Sequence, residues 1–147
     1  MADSTSKNGM TTASDFLGTG WDFPPTFRRG KKGVAMTNGA EDIQRSLHVL
    51  LSTTLGERVM LPDYGCDLTN LIFEPLTTTF KTYIEGLVRT AIDRYEPRIN
   101  ADRITINDDD ELNGVVEVEV DFTIRTTNTR HNYVYPFYLT EGTSTRA

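Results

Sequence analysis

Asp63, Asp67, Glu74 and Glu96 are the residue type that glycoside hydrolysis needs. One carboxylic acid would protonate the leaving oxygen and a second carboxylate would act as base or nucleophile. No motif fixes two of them across one cleft. Cys66 is the only cysteine; it sits in no nucleophile motif and reads as a small packed thiol. It also rules out an intrachain disulfide. His48 and His131 are the two histidines, and neither has a His or Cys at metal-ligand spacing. His48 reads as a surface or boundary residue of a helix, and His131 starts a strand. The acidic run Asp108-Asp109-Asp110-Glu111 resembles a calcium loop only superficially. With Asp109 in the first position, the closing carboxylate would fall on Val120. No phosphate-cradling GxxxxGK[ST] or GxGxxG is present. The expectation is therefore a protein that is not an enzyme, with no catalytic residues, metal or cofactor.

A different constellation is Glu96-Pro97-Arg98. Upstream of it, Phe80, Ile84, Leu87, Val88, Ala91, Ile92 and Tyr95 recur with the spacing of one buried helical face. This predicts a helix over residues 78–95 that Pro97 ends, because the residue before a proline is pushed out of the α region. Glu96 then lies at a helix C-terminus, where a carboxylate is disfavoured by roughly 0.3–1 kcal/mol. Arg98 or a cation on another chain must offset that. Two readings follow: a local ion pair around a helix stop, or a rigid charged corner offered to a partner.

The elements around the corner can be read by period. Residues 40–52 form an amphipathic helix with Ile43, Leu47, Leu50 and Leu51 on one face, Asn38 as N-cap, and Glu41 and Asp42 in the first turn. Residues 57–61 read as a short extended piece. Pro62-Asp63-Tyr64-Gly65-Cys66-Asp67-Leu68 reads as a structural turn, with Asp67 capping a short helix that presents Leu68, Leu71 and Ile72 before Phe73-Glu74-Pro75 interrupts. After Arg98 the period becomes two. Ile104 and Ile106 alternate with polar residues, Asn113-Gly114 marks a hairpin, and Val116, Val118, Val120, Phe122 and Ile124 alternate with Glu117, Glu119, Asp121, Thr123 and Arg125. One apolar and one wet face imply an antiparallel sheet covered on one side. Residues 132–139 form a last strand with Tyr133, Tyr135, Phe137 and Leu139 on one face and Val134 and Tyr138 on the other. Pro136 makes it an edge strand. A bare aromatic edge is an aggregation hazard, so a partner strand or the N-terminal arm should cover it.

Residues 1–14 are polar, lack an apolar signal-peptide core and read as disordered. Residues 15–37 hold Phe16, Leu17, Trp21, Phe23 and Phe27 among glycines and prolines, a composition suited to neither helix nor regular strand. At roughly 25 cal/mol per Å² of apolar area, such an arm must lie on its own domain or on another subunit. The expected organisation is a disordered segment (1–14), a docking arm (15–37), one domain (38–140) and a tail (141–147). The fold class is α+β: a single domain with a three- to four-stranded antiparallel sheet and helices on one face.

The 147-residue chain carries a net charge of −6, with 24% charged and 37% hydrophobic residues. That speaks against nucleic acid as the main partner, because phosphate binding needs a clustered positive field. The one basic cluster, Arg28-Arg29-Gly30-Lys31-Lys32, reads as a solvated linker. No apolar run approaches the length of a membrane span, so synthesis and assembly in the cytoplasm are expected.

The turn at Pro62 to Leu68, the Phe73-Glu74 after it, and Tyr95-Glu96-Pro97-Arg98-Ile99 at the end of the next helix resemble the phage baseplate wedge family of the GPW/gene-25 type. The resemblance covers about residues 42–122. The flanks, Phe16 to Pro25 and Asn128 to Leu139, are more similar to versions in extracellular contractile injection systems and some phages than to those of type VI secretion systems. The resemblance implies a structural subunit, six copies per baseplate. Glu96, Pro97 and Arg98 would dock on the core bundle of larger wedge proteins. The sheet, with edge residues Tyr133, Val134, Tyr135, Phe137 and Tyr138, would template the first sheath ring. Phe16, Leu17, Trp21, Phe23 and Phe27 would dock the arm, and Pro62, Tyr64, Gly65, Cys66 and Asp67 would form the structural turn. Partners would be wedge and sheath proteins, with hub or spike proteins as further candidates, and no membrane insertion. Two other classes stay open: a phage-derived cell-wall hydrolase, and a stand-alone regulatory binding module.

Overall fold

The computed structural model describes residues 17–27, 33–68, 75–108 and 114–138. The chain divides into two compact units, one ending at Asp42 and one starting at Ile43.

In the first unit, β1 (Thr19–Trp21) pairs antiparallel with β2 (Met36–Asn38). Asp22 donates to the Ala35 carbonyl (3.0 Å) and Ala35 to that of Thr26 (2.9 Å), and Phe27 bridges Val34. The ribbon corrects the expectation of an arm without regular strands. Gly20 allows it, since any side chain there would run into the Asp42 carboxylate. Asn38, expected as a helix N-cap, is the last residue of β2.

Helix α1 (Gly39–Ser52) follows, with Ile43, Leu47, Leu50 and Leu51 buried. Residues 57–61, expected as an extended piece, form no strand, and the chain bends at Val59 and Met60. Gly56 takes a positive φ of 82° and donates to the Pro62 carbonyl (2.7 Å), which closes the chain into a tight loop. Helix α2 (Thr78–Tyr95) has the predicted bounds, with the Thr77 hydroxyl accepting from the Phe80 N–H at its start (3.3 Å). Ile84, Val88, Ala91 and Ile92 are its buried face.

The second sheet has the order β3-β4-β5 and is antiparallel throughout: β3 (Ile99–Asn107), β4 (Val115–Ile124) and β5 (Thr129–Tyr138). A bulge lies between Ala101 and Arg103. The inward residues of β4 are buried and the outward ones are not, as the alternation predicted. Arg89 on α2 donates to the Ala101 carbonyl on β3 (2.8 Å), and His48 on α1 meets Tyr133 on β5, so both helices pack on one face. β5 begins three residues earlier than expected, because Asn128 at φ 52° turns the chain tightly enough for Thr129 to pair with Ile124. Leu71, Ile72, Phe73, Glu74, the run Asp109 to Asn113, Leu139, the basic cluster and the two tails lie outside the described residues.

Candidate functional site

Helix α2 ends where its sequence says it must. Glu96 leaves helical geometry at φ −127° and ψ 71°, while its N–H still donates to Ile92 (2.8 Å). Its side chain turns inward and the residue is 2% exposed. Arg98 reaches back with a fork: Nε donates to Oε1 at 2.6 Å and Nη2 to Oε2 at 2.8 Å. The pairing left open by the sequence is therefore within the chain. The Arg98 carbonyl accepts from the Arg125 N–H (3.0 Å), which ties the corner to the β4–β5 turn. The surface at the corner is Pro97 and the partly exposed Arg98 guanidinium; the Glu96 carboxylate lies behind them.

The turn at Pro62 to Leu68 packs against this corner. Tyr64 donates its N–H to the Leu61 carbonyl (3.0 Å), and Cys66 donates to Thr53 (2.9 Å). Gly65, at φ 122°, lies so close to the Thr53 carbonyl that no Cβ fits. The Tyr64 ring meets Tyr95 edge-on with centroids 5.0 Å apart. Arg58 stacks over the other side of Tyr64, 4.1 Å from the ring centre. Burial raises the Tyr64 phenol pKa; Arg58 opposes that and the Glu96 carboxylate adds to it. Arg94 meets Asp63 at 3.5 Å in an exposed pair of the sort that contributes little. The Tyr95 hydroxyl is buried with no hydrogen-bond partner among the described residues. Cys66 is buried and its thiol pKa is pushed up to about 12, as expected of an inert packed cysteine.

Two motifs thirty residues apart in sequence thus form one surface. Tyr64, Tyr95, Glu96, Pro97 and Arg98 stand out in the sequence, whereas Arg58 and Arg94 do not. Arg94 is hidden as an ordinary last-turn helix residue. Arg58 stood in a segment read as plain extended chain.

Strand β5 divides its aromatics. Tyr133, Tyr135 and Phe137 are half-buried on the inner face. The Tyr133 hydroxyl and His48 Nδ1 are hydrogen-bonded at 3.0 Å, and the His48 ring meets Tyr135 edge-on at 5.7 Å. Burial pushes the Tyr133 phenol up to about 12. Val134 and Tyr138 are exposed on the outer face, and β5 is an edge strand as Pro136 predicted. In the first unit Leu17 is buried while Trp21, Phe23 and Phe27 are exposed; Phe16 lies outside the described residues.

Comparisons with known proteins follow the same residues. The family described as "Baseplate wedge protein gp25" matches residues 37–129. The chain belongs to the gp25 baseplate wedge family. It is 32% identical over 93 residues to the baseplate wedge protein gp25 of Enterobacteria phage T4, covering 63% of this chain and 64% of that protein. It is 33% identical over 73 residues to baseplate protein W of Escherichia phage P2, covering 50% and 63%. The chain thus spans just under two thirds of the length of these relatives. Among solved structures, the cryo-EM baseplate of the anti-feeding prophage, 6-fold symmetrised, contains a chain 27% identical, with TM-score 0.63 and coverage of 88% and 92%. A crystal structure from Geobacter sulfurreducens, labelled a tail lysozyme, is 40% identical with TM-score 0.65 and coverage of 69% and 92%.

The gp25-family fold accounts for the α+β architecture, and the hydrolase label of the Geobacter relative can be weighed on side chains. Glu96 is committed to Arg98, and Asp63 is exposed beside Arg94. Among the described residues no group of three or more His, Cys, Asp and Glu is placed to hold a metal ion. No helix among the described residues is long and apolar enough to cross a membrane. A void lined by Leu68, Leu76, Ile84, Ile106, Val116, Val118 and Phe137 measures about 10 Å³, room for one water at most.

Proposed function

We propose that this chain is a structural wedge subunit of the baseplate of a contractile, phage-tail-like injection machine. It docks on larger wedge proteins through Pro97 and Arg98, with Glu96 as the residue that positions Arg98. The observation that carries this reading is the bidentate hold of a buried Glu96 on Arg98 beside an exposed proline. A cation fixed in this way loses little freedom on binding, which favours affinity. Tyr64 and its turn support the corner from behind. The outer edge of β5, with Val134 and Tyr138, is the second docking surface and takes a strand of the sheath. Trp21, Phe23 and Phe27 dock the arm on a neighbouring baseplate protein. Six copies per baseplate, made and assembled in the cytoplasm, follow from the same reading.

The test must separate docking from folding. Losing Arg98 alone strands a buried carboxylate, at a cost of about 3–5 kcal/mol. Replacing both partners by neutral glutamine avoids that. The Glu96→Gln, Arg98→Gln double variant is expected to unfold within about 1 kcal/mol of the parent in urea, yet to lower the yield of sheathed particles counted by electron microscopy at least tenfold. Normal particle yield from the double variant would remove the corner as the dock.

A further inference from the structure

The loop between Gly56 and Pro62 carries apolar side chains that none of the described residues covers. Val59 is 92% exposed and Met60 94%, with Leu61 and Leu55 partly exposed beside them. Single exposed apolar residues are ordinary, but adjacent ones at the tip of a braced loop are not. The bracing is specific. Gly56 donates to Pro62 (2.7 Å), Glu57 to the Thr54 carbonyl (3.1 Å), and the Glu57 carboxylate accepts from the Thr54 N–H (3.0 Å). Backbone bonds hold the loop in a form that displays Val59 and Met60 outward.

The charges around the tip also have a pattern. Glu57 is turned back onto its own backbone. Arg58 is stacked on Tyr64 and has no carboxylate partner among the described residues. Tyr64 in turn meets Tyr95, the residue before Glu96. The tip, the stacked arginine and the corner are therefore continuous on one side of the second unit.

We propose that Val59 and Met60 form an apolar plug that seats in a groove of another protein chain, with a carboxylate on the groove's rim opposite Arg58. The proposal rests on the corner being a dock, and the same partner meets Pro97 and Arg98. A convex tip of two unbranched or small apolar side chains calls for a concave apolar site, and at its edge an exposed arginine with no carboxylate partner among the described residues calls for an anion. The plug supplies buried contact; the corner supplies orientation.

The test uses full-length protein in the cell that makes the particles. A Val59→Ser, Met60→Ser variant is expected to melt within a degree or two of the parent, since both side chains are almost fully exposed, while its incorporation into isolated baseplates falls tenfold or more. A photoreactive benzoylphenylalanine at position 60 is expected to crosslink to another baseplate protein in a peptide containing Asp or Glu. Parent-level incorporation of the serine variant overturns the plug. So does a crosslink only to a second copy of this chain, or flotation of purified protein with phosphatidylglycerol vesicles that the serine variant loses, which would assign the tip to a membrane. Failure of the corner is separable: normal assembly of the Glu96→Gln, Arg98→Gln variant beside a position-60 crosslink to a baseplate protein keeps the plug and discards the corner.

Discussion

At Glu96 two effects compete. The helix C-terminus disfavours a carboxylate by about 0.3–1 kcal/mol. Two charge-assisted hydrogen bonds from Arg98 offset both that and the desolvation of the buried carboxylate. The fork wins, so the charge is kept. The sequence showed the conflict and both candidate partners, but not the burial of Glu96. That burial depends on the Tyr64 turn folding against Tyr95, a contact between residues with no periodic relation. Burial has a second consequence at Cys66 and Tyr133, whose pKa values rise from 9.0 and 10.0 to about 12. Both are neutral acids with raised folded values, so their contribution to stability is full below the unfolded pKa and is lost as pH rises towards 12. The urea midpoint is expected to hold steady from pH 7 to about 8.5 and to fall progressively between about 9 and 12, with onset moved to about pH 10 in Cys66→Ala. A midpoint that stays flat to pH 11 in the parent would contradict this.

Among the elements, α2 and β4 were legible from sequence because each has one long apolar stripe at a single period. The β1–β2 ribbon was not, because its strands are three residues each and are made by backbone pairing across a Gly- and Pro-rich stretch that carries no alternation. Residues 57–61 misread for the opposite reason: Val59, Met60 and Leu61 have the composition of a strand, yet no neighbouring strand pairs with them. The inner and outer faces of β5 were correctly divided, but the depth at which Tyr133 and Tyr135 pack on His48 was visible only in the fold. That packing bears on experiment. Cutting the chain after Thr129 would strip β4 of its partner, so the edge should be probed by substitutions at Val134 and Tyr138. Helix α2 also holds a clear stability lever. Gly86 lies in its interior and an added Cβ meets nothing within 4 Å. Gly86→Ala is therefore expected to stabilise the isolated protein by about 0.5–1 kcal/mol in urea unfolding. A loss of stability would mean that the helix is not packed as described.

On the scale of the whole molecule, the second unit exposes the corner with its apolar tip and the outer edge of β5, and the first unit exposes the aromatics of its ribbon. Exposed apolar and charged surfaces of this kind are what a subunit that joins others needs. The most direct measurement is an electron cryomicroscopy map of baseplates isolated from the cell that produces them. The account predicts six copies of the chain, each with Pro97 and Arg98 against helices of a larger wedge protein and the β5 edge against a sheath strand. A map in which the corner faces solvent while the subunit is held by other residues would contradict it.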